Sequence, residues 1–215
     1  MELDTQALCV RSMDYKDNDK LITLLTADLG KVSAQMRSAK SPKSKLKIAS
    51  SPFSFGEYNL TEKNGRYTVI GAQITDNFFN IWQDIAKYAA AEIVIECADK
   101  VTIEKQECSR ELVLAIKALS AICYGEIYPY VVAVWFVSKL MIEIGYDTTV
   151  DNEYSNEIVA VLGVLQGLEV DELECLDMTQ ASVVSVLKYL NRFGHGIFGV
   201  KINSITEAIK HIVTE

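Results

Sequence analysis

The chain has 215 residues, with 21 Lys plus Arg against 29 Asp plus Glu, three Pro, eleven Gly, five Cys and 49% apolar side chains. That composition excludes a disordered, collagenous or disulfide-built chain, and the length suits one large domain or two modest ones, with two expected. The net charge of −8 excludes a uniformly basic nucleic-acid-binding surface.

Residues 6–15 mix apolar and polar positions with a period near two, which reads as a strand, and residues 21–26 form a second β-rich run. Asp28-Leu29-Gly30 turns the chain into residues 31–37. There Val32, Ala34 and Met36 face one way, while Lys31, Ser33, Gln35 and Arg37 face the other, giving a half-buried strand with a cationic outer side. Residues 38–51 hold five Ser, four Lys and Pro42, so an exposed loop is expected, with one short helical turn over 45–49. Residues 53–60 alternate again, Lys63-Asn64-Gly65-Arg66 is a hairpin signal, and residues 67–70 close the set. Five short strands with one long basic loop imply a small antiparallel barrel of the five-stranded OB type, a form that often meets single-stranded nucleic acid.

Past Asn77 the period changes to that of helices. Trp82, Ile85, Ala86, Ala89, Ile93 and Cys97 mark one amphipathic helix over 82–98, and Leu112, Ile116, Leu119 and Cys123 mark a second. Pro129 suits a first helical position, residues 131–144 are apolar nearly all round, and Gly145 should end that central helix. Residues 153–168, 179–193 and 204–213 supply three more, with Asp177 or Thr179 capping one and Asn203 or Ser204 another. The longest uncharged apolar run, 127–138, stops at Lys139, short of the roughly 20 residues needed to cross a bilayer, so no membrane span is expected. Met1-Glu2-Leu3-Asp4 lacks the basic flank of a secretory signal, and Cys9, Cys97, Cys108, Cys123 and Cys175 read as buried small apolar residues, so a cytoplasmic location is expected.

The average charge hides a division. Residues 1–75 carry eleven Lys and Arg against eight Asp and Glu; the remaining 140 carry ten against twenty-one. Lys31, Arg37, Lys40, Lys43, Lys45 and Lys47 fall within seventeen residues that contain no carboxylate. With a Debye length of about 8 Å, a distant acidic domain cancels little of that field.

Groups that do bond chemistry are scarce. His195 and His211 stand sixteen positions apart, no Cys pair has zinc-knuckle spacing, and no Walker A loop, G-x-G-x-x-G or H-E-x-x-H occurs, so neither catalysis, cofactor nor metal is expected. Gly194-His195-Gly196 reads as a helix end with a capping or exposed His. Asp14, Asp17 and Asp19 lack calcium-loop spacing, and Asp17-Asn18-Asp19 reads as a turn between strands. Trp82 and Trp135 read as core. Tyr15, Tyr58 and Tyr67 lie on or beside strands, and Tyr58 and Tyr67, which flank the hairpin, either face outward to stack on bases or fill the barrel.

Five segments in register carry a family resemblance. They are Asp14-Tyr15-Lys16-Asp17-Asn18-Asp19-Lys20-Leu21, Leu29-Gly30-Lys31-Val32-Ser33-Ala34, Arg37-Ser38-Ala39-Lys40, Lys43-Ser44-Lys45-Leu46 and Pro52-Phe53-Ser54-Phe55-Gly56-Glu57-Tyr58. Over residues 5–75 the chain resembles the N-terminal domain of the RecO recombination mediators, and Ile142-Glu143-Ile144-Gly145-Tyr146-Asp147 is similar more loosely. The resemblance implies an α+β chain: an OB-fold domain over 1–77 that binds nucleic acid, then an all-α domain over 78–215 for protein partners. It also implies a non-enzymatic protein that binds single- and double-stranded DNA, anneals complementary strands and helps load the RecA recombinase onto DNA coated by single-strand-binding protein. The implied partners are RecR and the acidic C-terminal tail of that coating protein. Many members carry four zinc-binding cysteines after the Gly-Tyr segment; here residues 147–175 hold only Cys175, so a variant without the zinc finger is expected.

In this reading Lys31, Arg37, Lys40, Lys43, Lys45 and Lys47 neutralise phosphates, Arg11, Lys20 and Arg66 extend the track, and Tyr58 and Tyr67 offer rings. Lys117, Lys139, Lys188 and Arg192 are the candidates to rim a pocket for an acidic tail. The competing readings are an adaptor that docks an acidic protein on the basic loop and an RNA-binding OB protein.

Overall fold

The alternating segments at the N-terminus close on themselves in the computed structural model, which describes residues 2–41, 44, 46–149, 156–199 and 201–214. Strands β1 (Glu2–Tyr15), β2 (Asp19–Thr26), β3 (Gly30–Met36), β4 (Phe55–Lys63) and β5 (Arg66–Asp76) form a closed barrel in the order β1-β2-β3-β5-β4. Four neighbouring pairs are antiparallel and β3 with β5 is parallel. The expected five-stranded barrel is present, with β3 and β5 as its one parallel pair, because an odd number of strands in a closed ring cannot alternate in direction throughout. Asn64 and Gly65, both at positive φ, make the expected hairpin turn between β4 and β5.

Inward residues Ala7, Cys9, Ile22, Leu24, Val32, Ala34, Met36, Tyr58, Leu60 and Val69 fill the barrel. Ala39 and Ala49 from the loop after β3 belong to the same cluster and Leu46 packs on it, so that loop is not exposed throughout as expected. It covers part of the core. Ser50 N–H donates to the Leu46 carbonyl at 3.0 Å, and Ser54 Oγ donates to the Ile48 carbonyl at 2.7 Å.

The chain divides into two compact units, Met1–Phe78 with Thr102–Ile116, and Phe79–Val101 with Lys117–Glu215, rather than at a single cut after residue 77. Within the first unit, residues 102–108 run along the turn between β2 and β3. Lys31 N–H donates to the Ile103 carbonyl (3.2 Å), Lys105 N–H to Leu29 (2.9 Å) and Cys108 N–H to Ala27 (3.2 Å). A Cβ on Gly30, which has φ +66°, would lie 2.2 Å from the Ile103 oxygen, so only glycine admits this close approach.

The helices are α1 (Ile85–Val101), α2 (Ser109–Tyr124), α3 (Pro129–Glu143), α4 (Asn156–Gly167), α5 (Gln180–Phe198) and α6 (Asn203–Thr214). In the second unit α3 begins at Pro129, is buried along most of its length and packs on α1, α4 and α5, which makes it the expected centre. Trp135 lies in that core and its indole N–H donates to the Leu168 carbonyl at 2.9 Å. Three expectations are corrected. Trp82 precedes α1 in a single 3-10 turn, so helical periodicity does not bury it; it is 47% exposed, with its ring 5.4 Å from that of Tyr88. Cys175 is exposed, unlike the other four cysteines. The Gly194-His195-Gly196 segment continues α5, which ends at Gly199 with φ +69°; a Cβ on Gly194 would sit 3.0 Å from the Ile202 side chain, so that glycine serves packing.

Thr179 caps α5 as expected, accepting from Ser182 N–H at 3.2 Å. The cap of α6 comes from a distance. Glu96 on α1 accepts from Asn203 N–H (3.1 Å), Ser204 N–H (2.7 Å) and Ser204 Oγ (2.6 Å), with Lys100 at 3.4 Å. Burial raises its pKa, but the Ser204 and Asn203 hydrogen bonds and Lys100 outweigh it, and the carboxyl ends below its ordinary 4.5. Glu96→Ala should therefore lower stability by about 2 kcal/mol in urea unfolding, and Glu96→Gln, which keeps an acceptor, by less. Because the folded pKa is depressed, the stabilisation is fully present above the unfolded value and fades as pH falls through the folded one. The Glu96→Ala chain should thus lose less stability on acidification than the unaltered chain.

Candidate nucleic-acid interface

The outer side of β1, β2 and β3 is set by a bulge. Between Cys9 and Arg11 the β1 register shifts by one residue, so that Arg11, Met13 and Tyr15 lie opposite Thr23, Leu21 and Asp19. Thr23 and Leu21 in turn lie opposite Ser33 and Gln35 of β3. These residues share one side of the sheet, on which Arg11 is exposed and Met13 and Tyr15 are 48% and 42% exposed. Lys16 Nζ stands 5.2 Å from the centre of the Tyr15 ring. Lys31 is half-buried near the start of β3, and Arg37 is exposed just past its end.

The carboxylates between β1 and β2 hold the start of the basic loop. Asp19 accepts Ser38 N–H at 2.9 Å and Gln35 Nε2 at 2.7 Å, and these hydrogen bonds, Ser38's first, hold its pKa below the ordinary carboxylate value. Lys40 N–H donates to the Asn18 carbonyl at 3.1 Å, and Lys40 Nζ pairs with Asp14 at 3.0 Å. The turn itself is residues 16–18, and Asp19 opens β2. At the far end of the loop Lys47 is exposed, and its carbonyl accepts Ser50 Oγ at 2.8 Å. Lys43 and Lys45 lie outside the described residues.

Other expected positions move. Tyr58 is fully buried and donates its hydroxyl to the Ala49 carbonyl at 2.8 Å, and burial raises its pKa; it fills the barrel and offers no ring to a ligand. Tyr67 packs half-buried on the same core. Tyr15 is the exposed ring, and the signal for it was a bulge that alternation alone does not reveal. Lys20 shares the inward parity of Ile22 and Leu24 and donates to Ser12 Oγ at 3.3 Å, so it sits at the barrel rim rather than on the outer side with Arg11. Arg66 is exposed at the start of β5, one position before Tyr67 pairs with Ala34 of β3.

In the helical unit, Lys117 and Lys139 both turn to Glu169, at 3.1 Å and 3.9 Å, and the Lys117 hydrogen bond and charge lead in lowering that carboxyl's pKa. The two ammonium groups thus share one exposed carboxylate. Lys188 and Arg192 lie one turn apart on α5 and line a cavity. Among the described residues no group of three or more His, Cys, Asp or Glu could hold a metal ion, and no helix is long and apolar enough to cross a membrane.

Residues 1–78 match the family model described as Recombination protein O N terminal. Over 140 residues, 65% of this chain and 56% of the relative, the chain is 29% identical to the DNA repair protein RecO of Bacillus cereus (strain AH187), with the same figures for that of Bacillus anthracis. Over 108 residues, 50% of this chain and 42% of the relative, it is 34% identical to the DNA repair protein RecO of Clostridium novyi (strain NT). The chain thus spans about half the length of the curated relatives it matches. The family model covers the closed barrel, and the helices follow it in the order the resemblance implied, so residues 1–78 are similar to the N-terminal part of recombination protein O.

Proposed function

We propose that this chain is a recombinational repair mediator that binds single- and double-stranded DNA without sequence preference, anneals complementary strands and helps load RecA onto DNA coated by single-strand-binding protein. The observation that carries the reading is the row Arg11, Met13, Tyr15 on the outer side of the barrel, on the same sheet side as Asp19, whose carboxylate anchors the basic loop. Cations at Lys31, Arg37 and Lys47 and along the loop meet phosphates, and the Tyr15 ring offers a stacking face to any base. A surface that neutralises two polyanions and reads neither leaves base edges free to pair. The chain acts by binding rather than by bond chemistry. RecR and the acidic tail of the coating protein are the proposed partners of the helical unit.

With about four cations engaged, log affinity for single strands should fall against log salt with a slope near −3. Complementary oligonucleotides coated with their single-strand-binding protein should anneal faster with the chain present, and Lys40, Lys43, Lys45, Lys47→Glu together should abolish the acceleration and flatten the slope. No acceleration by the unaltered chain at any salt would sink the reading and leave the adaptor that docks an acidic protein. Tyr15→Ala should weaken single-strand binding by about tenfold, the scale of one lost base stack, with little change for duplex. Fluorescence anisotropy with both probes measures this, and an equal loss on duplex would count against stacking.

A further inference from the structure

Residues 140–187 contain ten carboxylates and no Lys or Arg. From 188 to 214 the balance reverses, with Lys188, Arg192, Lys201 and Lys210 against Glu207 alone. These four are all the cations of the chain after Lys139, and all four line one cavity of about 400 Å³ between α5 and α6. His195 also faces it, one turn beyond Arg192.

The walls are tied together. Asn191 Nδ2 donates to Thr206 Oγ1 at 3.1 Å, and Asn191 Oδ1 accepts Ile202 N–H at 3.0 Å, so one side chain of α5 ties it to the start of α6. Glu207 pairs with Lys210 at 2.7 Å, whereas Lys188 and Lys201 are exposed and make no ion pair among the described residues. Gathering like charges on one groove is unfavourable unless an anion relieves it.

We propose that this groove is a second site for a nucleic-acid backbone, which gives the chain two strand-binding sites, one in each compact unit. The choice of DNA as ligand rests on the function proposed above. Apart from Ile209 every lining side chain is polar or charged, and the excess of cations suits a phosphate backbone. Lys188 and Arg192, four residues apart on a helix, present charges about 6 Å apart along it, a ridge that successive phosphates of one strand can follow.

The test uses the full chain and a fluorescent oligothymidine across a salt series, with annealing of complementary oligonucleotides as second readout. Lys188→Glu with Lys201→Glu is the primary variant. Lys188→Gln with Lys201→Gln repeats the test should the first fail to fold. Removing two phosphate contacts should make the salt slope shallower by about 1.4 and slow annealing on the order of fivefold. Combined with the loop substitutions, it should remove the residual binding that the loop variant keeps. Unchanged slope and annealing in both groove variants, with the loop variant impaired, would overturn the second site and leave the proposed function standing. No DNA binding by the unaltered chain would overturn both. A labelled oligoglutamate bound by the unaltered chain and lost in the groove variants, with the DNA slope unmoved, would reassign the groove to acidic peptides.

Discussion

Closure of a ring of five strands forces one parallel pair, and much of the N-terminal unit follows from it. With β3 and β5 parallel, the chain cannot return from β3 by a tight hairpin; it must pass across the barrel before entering β4. That passage is the basic loop. Its Ala39, Leu46 and Ala49 sides pack on the core, and the Tyr58 hydroxyl holds the Ala49 carbonyl from within. A segment required by topology is thereby fixed at its base.

The acidic residues near this loop have structural tasks. Asp19 takes a backbone N–H and an amide, and Asp14 takes Lys40. With eleven cations against eight carboxylates in residues 1–75, and Asp14 paired with Lys40, the remaining excess can still give one side a cationic character. Glu96 and Glu169 do comparable work in the helical unit, one capping α6 and the other joining Lys117 and Lys139. The net charge of −8 is therefore a poor guide to what any one face attracts.

Local patterns were legible in the sequence where a short period decides the structure. The alternation of β3, the Asn64-Gly65 turn, Pro129 at the start of α3 and the Thr179 cap each depend on neighbours within a few positions. What the sequence hid was set by long separations. The bulge at Val10 decides whether Tyr15 faces out, yet it leaves no trace in alternation. Tyr58 reads equally as ring platform or core until the loop carbonyl that takes its hydroxyl is placed. The α6 cap spans more than a hundred positions to Glu96, and residues 102–108 rejoin a barrel that ended at β5. The cations after residue 187 were visible as a reversal of charge, but their convergence on one groove needed the angle between two helices.

Two backbone-reading sites would divide the work of annealing in a physically sensible way. The main obstacle to pairing two strands is the repulsion of their phosphates, which salt screens only over a Debye length of about 8 Å. A single cationic face can hold one strand and present it, but a second strand must then approach a surface already neutralised. A separate groove of like charge holds the second strand on the same molecule without competing for the same lysines, which is an effective-concentration gain rather than a tighter contact. The cost is that each site must bind weakly enough to release its strand once bases pair. A few exposed cations meet that demand, because their grip falls steeply with salt and carries no sequence preference to trap one strand over another.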